Sequence, residues 1–424
     1  MEQTPELNNT SRLPLTKLIR SLGPGIMMAA AAVGGSHLVA STKAGAIYGW
    51  QLAGLILLVN ILKYPFFRAA IQYTMGTGKS LVEGYSQLGR VYLCLFAILS
   101  IISGIINTAA LVIFSASLLS YFLPFGLSIT FLSTAIVAVC LIILIAGHYR
   151  ALDFLSKFIM ATLSLATIVA VAIAFDLPSA STQATFSELS PWSMAAIGFI
   201  VITMGWMPAP IEISSITSMW LKNQRKHQQV TAQSALFDFN VGYIGTAILA
   251  LVFLSLGALI IHGTGTELSS SGVGFTHQLV GMYATTIGEW SRYLIAVIAF
   301  LCIFGSTITV IDGYARVISE SQRLLKSEDE CRTRTTQIWM AVISAFALVI
   351  LVFFTSALMP MLNFAMIMAF ITTPFFALLN YLLISQSRLP NPLSLGKALK
   401  ALSIVGLIYL FGFLAVFVWW KWFF

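Results

Sequence analysis

His37 and Met207 each border a short run of residues that an apolar helix interior rejects, Val33-Gly34-Gly35-Ser36-His37 and Met207-Pro208-Ala209-Pro210. Inside a helix Gly costs about 1 kcal/mol relative to Ala, and Pro about 3. An imidazole and a thioether are borderline-to-soft ligands suited to late first-row metals. Carbonyls freed at Val33 and Met204 would add oxygen donors, and the ends of an interrupted helix carry partial charge. Each side chain also has a structural reading: His37 as a neutral hydrogen-bonding residue that holds the interrupted segment, Met207 as a gap-filling core residue. Two ionisable residues lie nearby in apolar sequence. Glu212 follows Met207 by five positions. Lys63 stands about thirteen residues into an apolar segment, roughly 19 Å deep at 1.5 Å per residue. A Lys63–Glu212 pair is electrically sensible, and its protonation could serve coupling.

The elements that position these groups are long and apolar. Eleven such segments occur, at about 23–46, 50–73, 91–121, 128–147, 154–175, 192–220, 235–261, 288–315, 336–357, 359–385 and 400–420. Basic residues alternate in step with them. Arg12, Lys17 and Arg20 precede the first; Arg68, Lys79 and Arg90 flank the second loop; Arg150 and Lys157 the fourth; and Lys222, Arg225 and Lys226 the sixth. Arg323, Lys326, Arg332 and Arg334 fill the eighth loop, and Arg388, Lys397 and Lys400 the tenth. The odd loops are nearly free of Lys and Arg, the two long ones being Ser/Thr/Gly-rich with Asp176, Glu188 and Glu267. This bias predicts a cytoplasmic N-terminus and, after eleven spans, an external C-terminus in a bacterial-type inner membrane. The first and sixth segments then run in opposite senses and both are interrupted. One broken helix in each half is the sequence pointer to a midplane site in a secondary transporter.

Composition agrees. Of 424 residues, 58% are hydrophobic and 9% charged, with mean hydropathy +0.91, against roughly 25% charged in soluble domains. The net charge of +8 sits in short loops and is no nucleic-acid footprint. Cys94, Cys140, Cys302 and Cys331 are scattered without metal-ligand spacing or a disulfide framework, which predicts packing roles. No cleavable signal peptide is expected. Met75-Gly76-Thr77-Gly78-Lys79-Ser80 lacks the spacing of a phosphate-binding loop and follows no strand, so solute movement would draw on a gradient rather than on ATP. No nucleophile–base constellation can be placed, so no enzyme activity and no cofactor are expected.

Several motifs together resemble one family. Gly23-Pro24-Gly25-Ile26 with Ala44-Gly45-Ala46-Ile47-Tyr48-Gly49 is similar to the first helix of the natural-resistance-associated macrophage protein (Nramp) divalent-metal transporters. Met75-Gly76-Thr77-Gly78-Lys79-Ser80-Leu81, Met207-Pro208, Ser306-Thr307-Ile308-Thr309 and Gly313-Tyr314-Ala315 agree with it. The resemblance spans nearly the whole chain. It implies an all-α, leucine-transporter-type 5+5 inverted repeat, with helices 1–5 over 23–175, helices 6–10 over 192–385, a cytoplasmic segment 1–22 before them, and helix 11 with a short C-terminus over 400–424. It also implies proton-coupled uptake of manganese or iron.

The chain departs from the family at its centre. In register, Gly34, Gly35, Ser36 and His37 replace the family's metal-binding Asp-Pro-Gly-Asn, and Met207-Pro208-Ala209-Pro210 replaces Met-Pro-His-Asn. The thioether of Met207 is kept; the acid and the proton-handling His are not. The resemblance places Gly34, His37, Met207 and Ala209 at the substrate, with His37 and Met207 as candidate metal ligands; the freed carbonyl adds Met204, and the intramembrane charges Glu212 and Lys63 are read as a coupling relay or a structural ion pair. The expected cargo is a divalent cation, with protons and the bilayer as further partners. The alternative is a non-transition-metal cargo, hydrated magnesium or a small organic solute. Among other charges, Asp312 and Arg316 have helix-neighbour spacing, Asp238 reads as interfacial or as part of a release path, and Glu289 and Arg292 as outer-boundary residues. Lys43 would line an external vestibule or snorkel. Ser306, Thr307 and Thr309 are read as backbone or helix–helix contacts.

Overall fold

The computed structural model describes residues 22–123, 126–147, 149–177, 189–353 and 357–423. Arg12, Lys17, Arg20 and Glu188, used above for orientation, lie outside them. Every described element is helical: α1 (Pro24–Ala32), a π-helical segment (Val33–Ser41), α2 (Thr42–Tyr48), α3 (Ala53–Thr77), α4 (Leu81–Leu88), α5 (Arg90–Ser120), α6 (Ile129–Ile145), α7 (Tyr149–Asp176), a 3₁₀ turn (Met194–Ala196) leading into α8 (Ile197–Trp206), α9 (Ile213–His227), α10 (Ala232–Ile260), α11 (Gly272–Ile287), α12 (Ser291–Leu325), α13 (Thr333–Phe353), α14 (Leu358–Gln386) and α15 (Lys397–Phe423). Among the described residues nine helices, counting α1 to α2 as one, are long and apolar enough to cross a membrane; α6 and Met194–Trp206 are shorter apolar helices.

Each apolar segment of the sequence coincides with a helix or a broken pair. Two further helices occupy stretches read as loops. The short α4 starts from a capping box, with Ser80 Oγ accepting from the Glu83 amide and the Glu83 carboxylate accepting from the Ser80 amide. In α11, Ser271 caps the first turn, and Phe275, Leu279 and Tyr283 recur every fourth residue on its buried face. The Ser/Thr/Gly content of that stretch concealed this period.

The first interrupted helix and α10 approach closely enough for backbone contact. A Cβ on Gly45 would collide with the Leu254 carbonyl, and one on Gly257 with the Thr42 carbonyl. Without hydrophobic drive between helices in lipid, close backbone approach maximises dispersion contact. All four cysteines are free; Cys140 and Cys302 are buried in the packing, and Cys331 is exposed.

Candidate functional site

At the first interruption two helical stretches meet across a kink, and Gly34 is the residue that leaves helical backbone (φ −61°, ψ −105°). The expected unwinding is thus a kink, because Gly34, Gly35 and Ser36 keep their N–H groups and can form wider turns. Gly34 and Gly35 are there for space as well. A Cβ on Gly34 would stand 2.6 Å from Ser306 Oγ, and one on Gly35 would stand 2.8 Å from the Trp206 ring.

His37 is fully buried. Its Nε2 donates to the Thr246 carbonyl of α10 at 2.9 Å; Nδ1 lies 2.7 Å from Ser36 Oγ and 3.1 Å from the Ala32 carbonyl. The ring meets Phe253 edge-on. His37 thus ties the kinked segment to α10 with Nε2 turned to Thr246, and it is not among the cavity-wall residues, which favours the structural reading over the ligand expectation. Ser36 also donates to the Ala32 carbonyl and, at 3.3 Å, lies in reach of the Pro208 carbonyl across the two interruptions.

The second interruption is a true break. Helix α8 ends at Trp206, Met207 is extended (φ −91°, ψ 125°), the Met207–Pro208 peptide is cis, and α9 begins at Ile213. The last four carbonyls of a helix lack intrahelical donors, and Pro208 and Pro210 bring no N–H to replace them. The donor comes from α3: Lys63 Nζ bonds the Met204 carbonyl at 2.7 Å and the Gly205 carbonyl at 3.3 Å. The Met204 thioether accepts from Tyr409, and the buried Met207 sulfur from Ser41 Oγ at 3.6 Å.

Glu212, at the N-cap of α9, is 1% exposed. Its Oε1 accepts from Tyr314 at 2.9 Å, while Oε2 has no hydrogen-bond partner. Lys63 and Glu212 make no direct ion pair, although they lie within electrostatic reach of one another; direct pairs include Lys222–Glu83, Arg292–Glu289, Arg316–Asp312 and Arg323–Glu320. The ammonium sits at the carbonyl end of α8, while Glu212 stands at the N-cap of α9 without capping it.

Between the interruptions lies a cavity of about 40 Å³, room for one or a few waters or one small ion. Gly35, Ser36, Trp206, Ala209 and Pro210 contribute to its wall, with Asn107 and Tyr314 from α5 and α12. A hydrogen-bonded chain runs along it: Trp206 Nε1 to Asn107 Oδ1 (3.2 Å), Asn107 Nδ2 to Tyr314 (3.0 Å), Tyr314 to Glu212. Of the predicted substrate residues, Ala209 is on the wall; Gly34, His37, Met204 and Met207 are not. Asn107 was missed, although a polar residue inside an apolar span is itself a signal. Among the described residues no three His, Cys, Asp or Glu side chains cluster to hold a metal.

The remaining predicted residues are placed as follows. Asp312 pairs with Arg316 and Glu289 with Arg292, both at 2.7 Å. Asp238 is buried rather than interfacial, its carboxylate accepting from the Gly23, Gly25 and Ile26 amides at the start of α1. Lys43 donates to Asn363 and lies over the Phe199 ring. Thr307 and Thr309 bond backbone carbonyls one turn back, while Ser306 Oγ has no partner.

A family model described as natural resistance-associated macrophage protein-like matches residues 25–420. An uncharacterized protein of Pasteurella multocida (strain Pm70) is 48% identical over 400 residues, covering 94% of this chain and 92% of its own. The fold resembles that of a single-site variant of the Eremococcus coleocola manganese transporter, with TM-score 0.71 and 14% identity over 97% of this chain and 89% of that one. It also resembles a nucleobase-cation-symport-1 family transporter in a closed conformation with bromovinylhydantoin bound, with TM-score 0.60 and 12% identity over 94% of this chain and 92% of that one. The family match across nearly the whole chain, over a helical membrane fold with two interrupted helices, places this protein in the Nramp family, as a multi-pass membrane transporter and not an enzyme.

Proposed function

We propose that this protein is a secondary transporter that carries a divalent metal cation through the cavity between its two interrupted helices, at a site altered from the family pattern. Membership of the family supports the cargo class, as does the likeness to a protein named as a manganese transporter. One observation carries the altered site: Glu212, buried at the break, keeps one carboxylate oxygen without a partner. An unpaired buried carboxylate is costly. A cation arriving beside it would supply the missing partner and replace the acid absent at Gly34. Ala209 and Pro210 would shape the wall, and Asn107 and Tyr314 would offer oxygen donors. The transport would draw on a gradient, with protons as the proposed coupling ion, and the halves 23–175 and 192–385 would act as inverted repeats. The basic-loop pattern supports an N-terminus on the inside, and the similar protein of Pasteurella multocida supports a bacterial inner membrane.

A second reading rests on the wall itself, which carries no charged residue. A bare divalent ion would then bring two positive charges against one free carboxylate oxygen. A hydrated magnesium ion or a small neutral solute would meet less electrostatic cost. Purified protein in liposomes separates the two. Saturable manganese uptake, lost in Glu212→Gln and steepened by an inward proton gradient, is the expected result. Calorimetry that detects no divalent ion binding to folded protein would sink the metal reading.

A further inference from the structure

Lys63 is fully buried and has no carboxylate within ion-pair distance, yet it is not without neutralisation. Its ammonium rests on two carbonyl oxygens at the C-terminal end of α8, where the helix dipole places about half a negative charge. Those oxygens are open because the chain that follows is extended at Met207 and carries Pro208 and Pro210. Water is not at hand in the middle of a bilayer to satisfy them. Carbonyl oxygens presented in this way replace a hydration shell, as they do for alkali ions in channel filters.

We propose that the Met204 and Gly205 carbonyls form a binding site for a monovalent cation, which the chain fills with its own Lys63 ammonium. The tethered cation holds α8 to α3 whatever the cargo does, and leaves the Glu212 side of the break as the exchangeable half. The neighbouring charges make their hydrogen bonds elsewhere: Glu212 with Tyr314, Asp238 with the α1 amides, Lys43 with Asn363; Glu212 acts on Lys63 only through the longer-range field.

Chemical rescue tests this without any transport assay, so failure of the cargo reading leaves it untouched. Lys63→Ala removes the ammonium and leaves room for a small one. In nanodiscs, peptides covering 203–213 should exchange deuterium about tenfold faster or more than in wild type, the effect of leaving buried carbonyls without a donor. Methylammonium chloride should restore most of that protection. Choline chloride at equal ionic strength, with the same charge but no N–H donor, should not, and wild type should respond to neither. Lys63→Met, neutral and filling the space, should exchange fast and resist rescue. Full protection in Lys63→Met overturns the proposal. So does equal rescue of Lys63→Ala by choline and methylammonium, or rescue by neither.

Discussion

At the first interruption two helical stretches meet across a kink at the single residue Gly34, whereas at the second the helix ends at Trp206 and an extended turn precedes Ile213. The difference follows from which residues keep an amide. Glycines loosen a helix yet leave every N–H in place, so helical backbone resumes directly after the kink, and His37 with Ser36 braces the bend. Prolines remove donors outright, so the freed ends need charge: Lys63 on the carbonyl side, Glu212 on the amide side. Here the glycine interruption is a bend in backbone that is helical on both sides, and the proline interruption is an open break flanked by buried charge.

The contrast can be broken most severely at the second interruption. A Cβ on Gly205 would fall on the Met366 backbone carbonyl, which cannot step aside. Gly205→Ala should therefore cost more than about 4 kcal/mol and yield little monodisperse protein on size-exclusion chromatography. At the first interruption the corresponding obstacle is the single Ser306 hydroxyl, so Gly34→Ala should cost only about 1–3 kcal/mol in thermal unfolding. Equal losses for the two would refute the distinction drawn here.

His37→Ala sharpens it further. Removing the imidazole leaves the Thr246 carbonyl without that donor, which should lower stability by about 1–3 kcal/mol. Because the ring faces α10 and not the cavity, divalent ion affinity by calorimetry should change less than in Glu212→Gln; a larger loss in His37→Ala would restore it as a ligand. Tyr314→Phe breaks the chain between Asn107 and Glu212 and should cost about 1 kcal/mol, together with weaker apparent cargo affinity in liposome uptake.

The smallest effect belongs to the far end of α9, outside the membrane. Burial alone would raise the Glu83 carboxyl, but Lys222 at 2.6 Å and the Ser80 amide outweigh it and hold its pKa below the ordinary 4.5. A carboxyl lowered on folding stabilises the protein above its ordinary pKa, and that stabilisation is lost as pH falls through the folded value. Glu83→Gln should therefore cost less than about 1 kcal/mol near neutral pH. Unfolding midpoints of wild type and variant should converge in acid; a gap that persists there would exclude the ion pair as its cause.

The sequence alone determined the membrane class, the placement of the long helices, the family and the location of both interruptions. These follow from local quantities: runs of apolar residues, the helix cost of Gly and Pro, and motif spacing. It also marked Lys63 and Glu212 as residues whose burial needs an explanation. Only the tertiary structure decided their partners. A buried charge can be neutralised by an opposite charge, a helix end or an array of carbonyls, and which is at hand depends on packing between helices far apart in sequence. Pairing Lys63 with Glu212 was the simplest charge balance, yet the orphan carbonyls of α8 lay closer. His37 turned toward Thr246 for the same reason, an acceptor on another helix that no spacing rule reveals. The cavity wall, built with Asn107 and Tyr314 from two further helices, was likewise a matter of assembly.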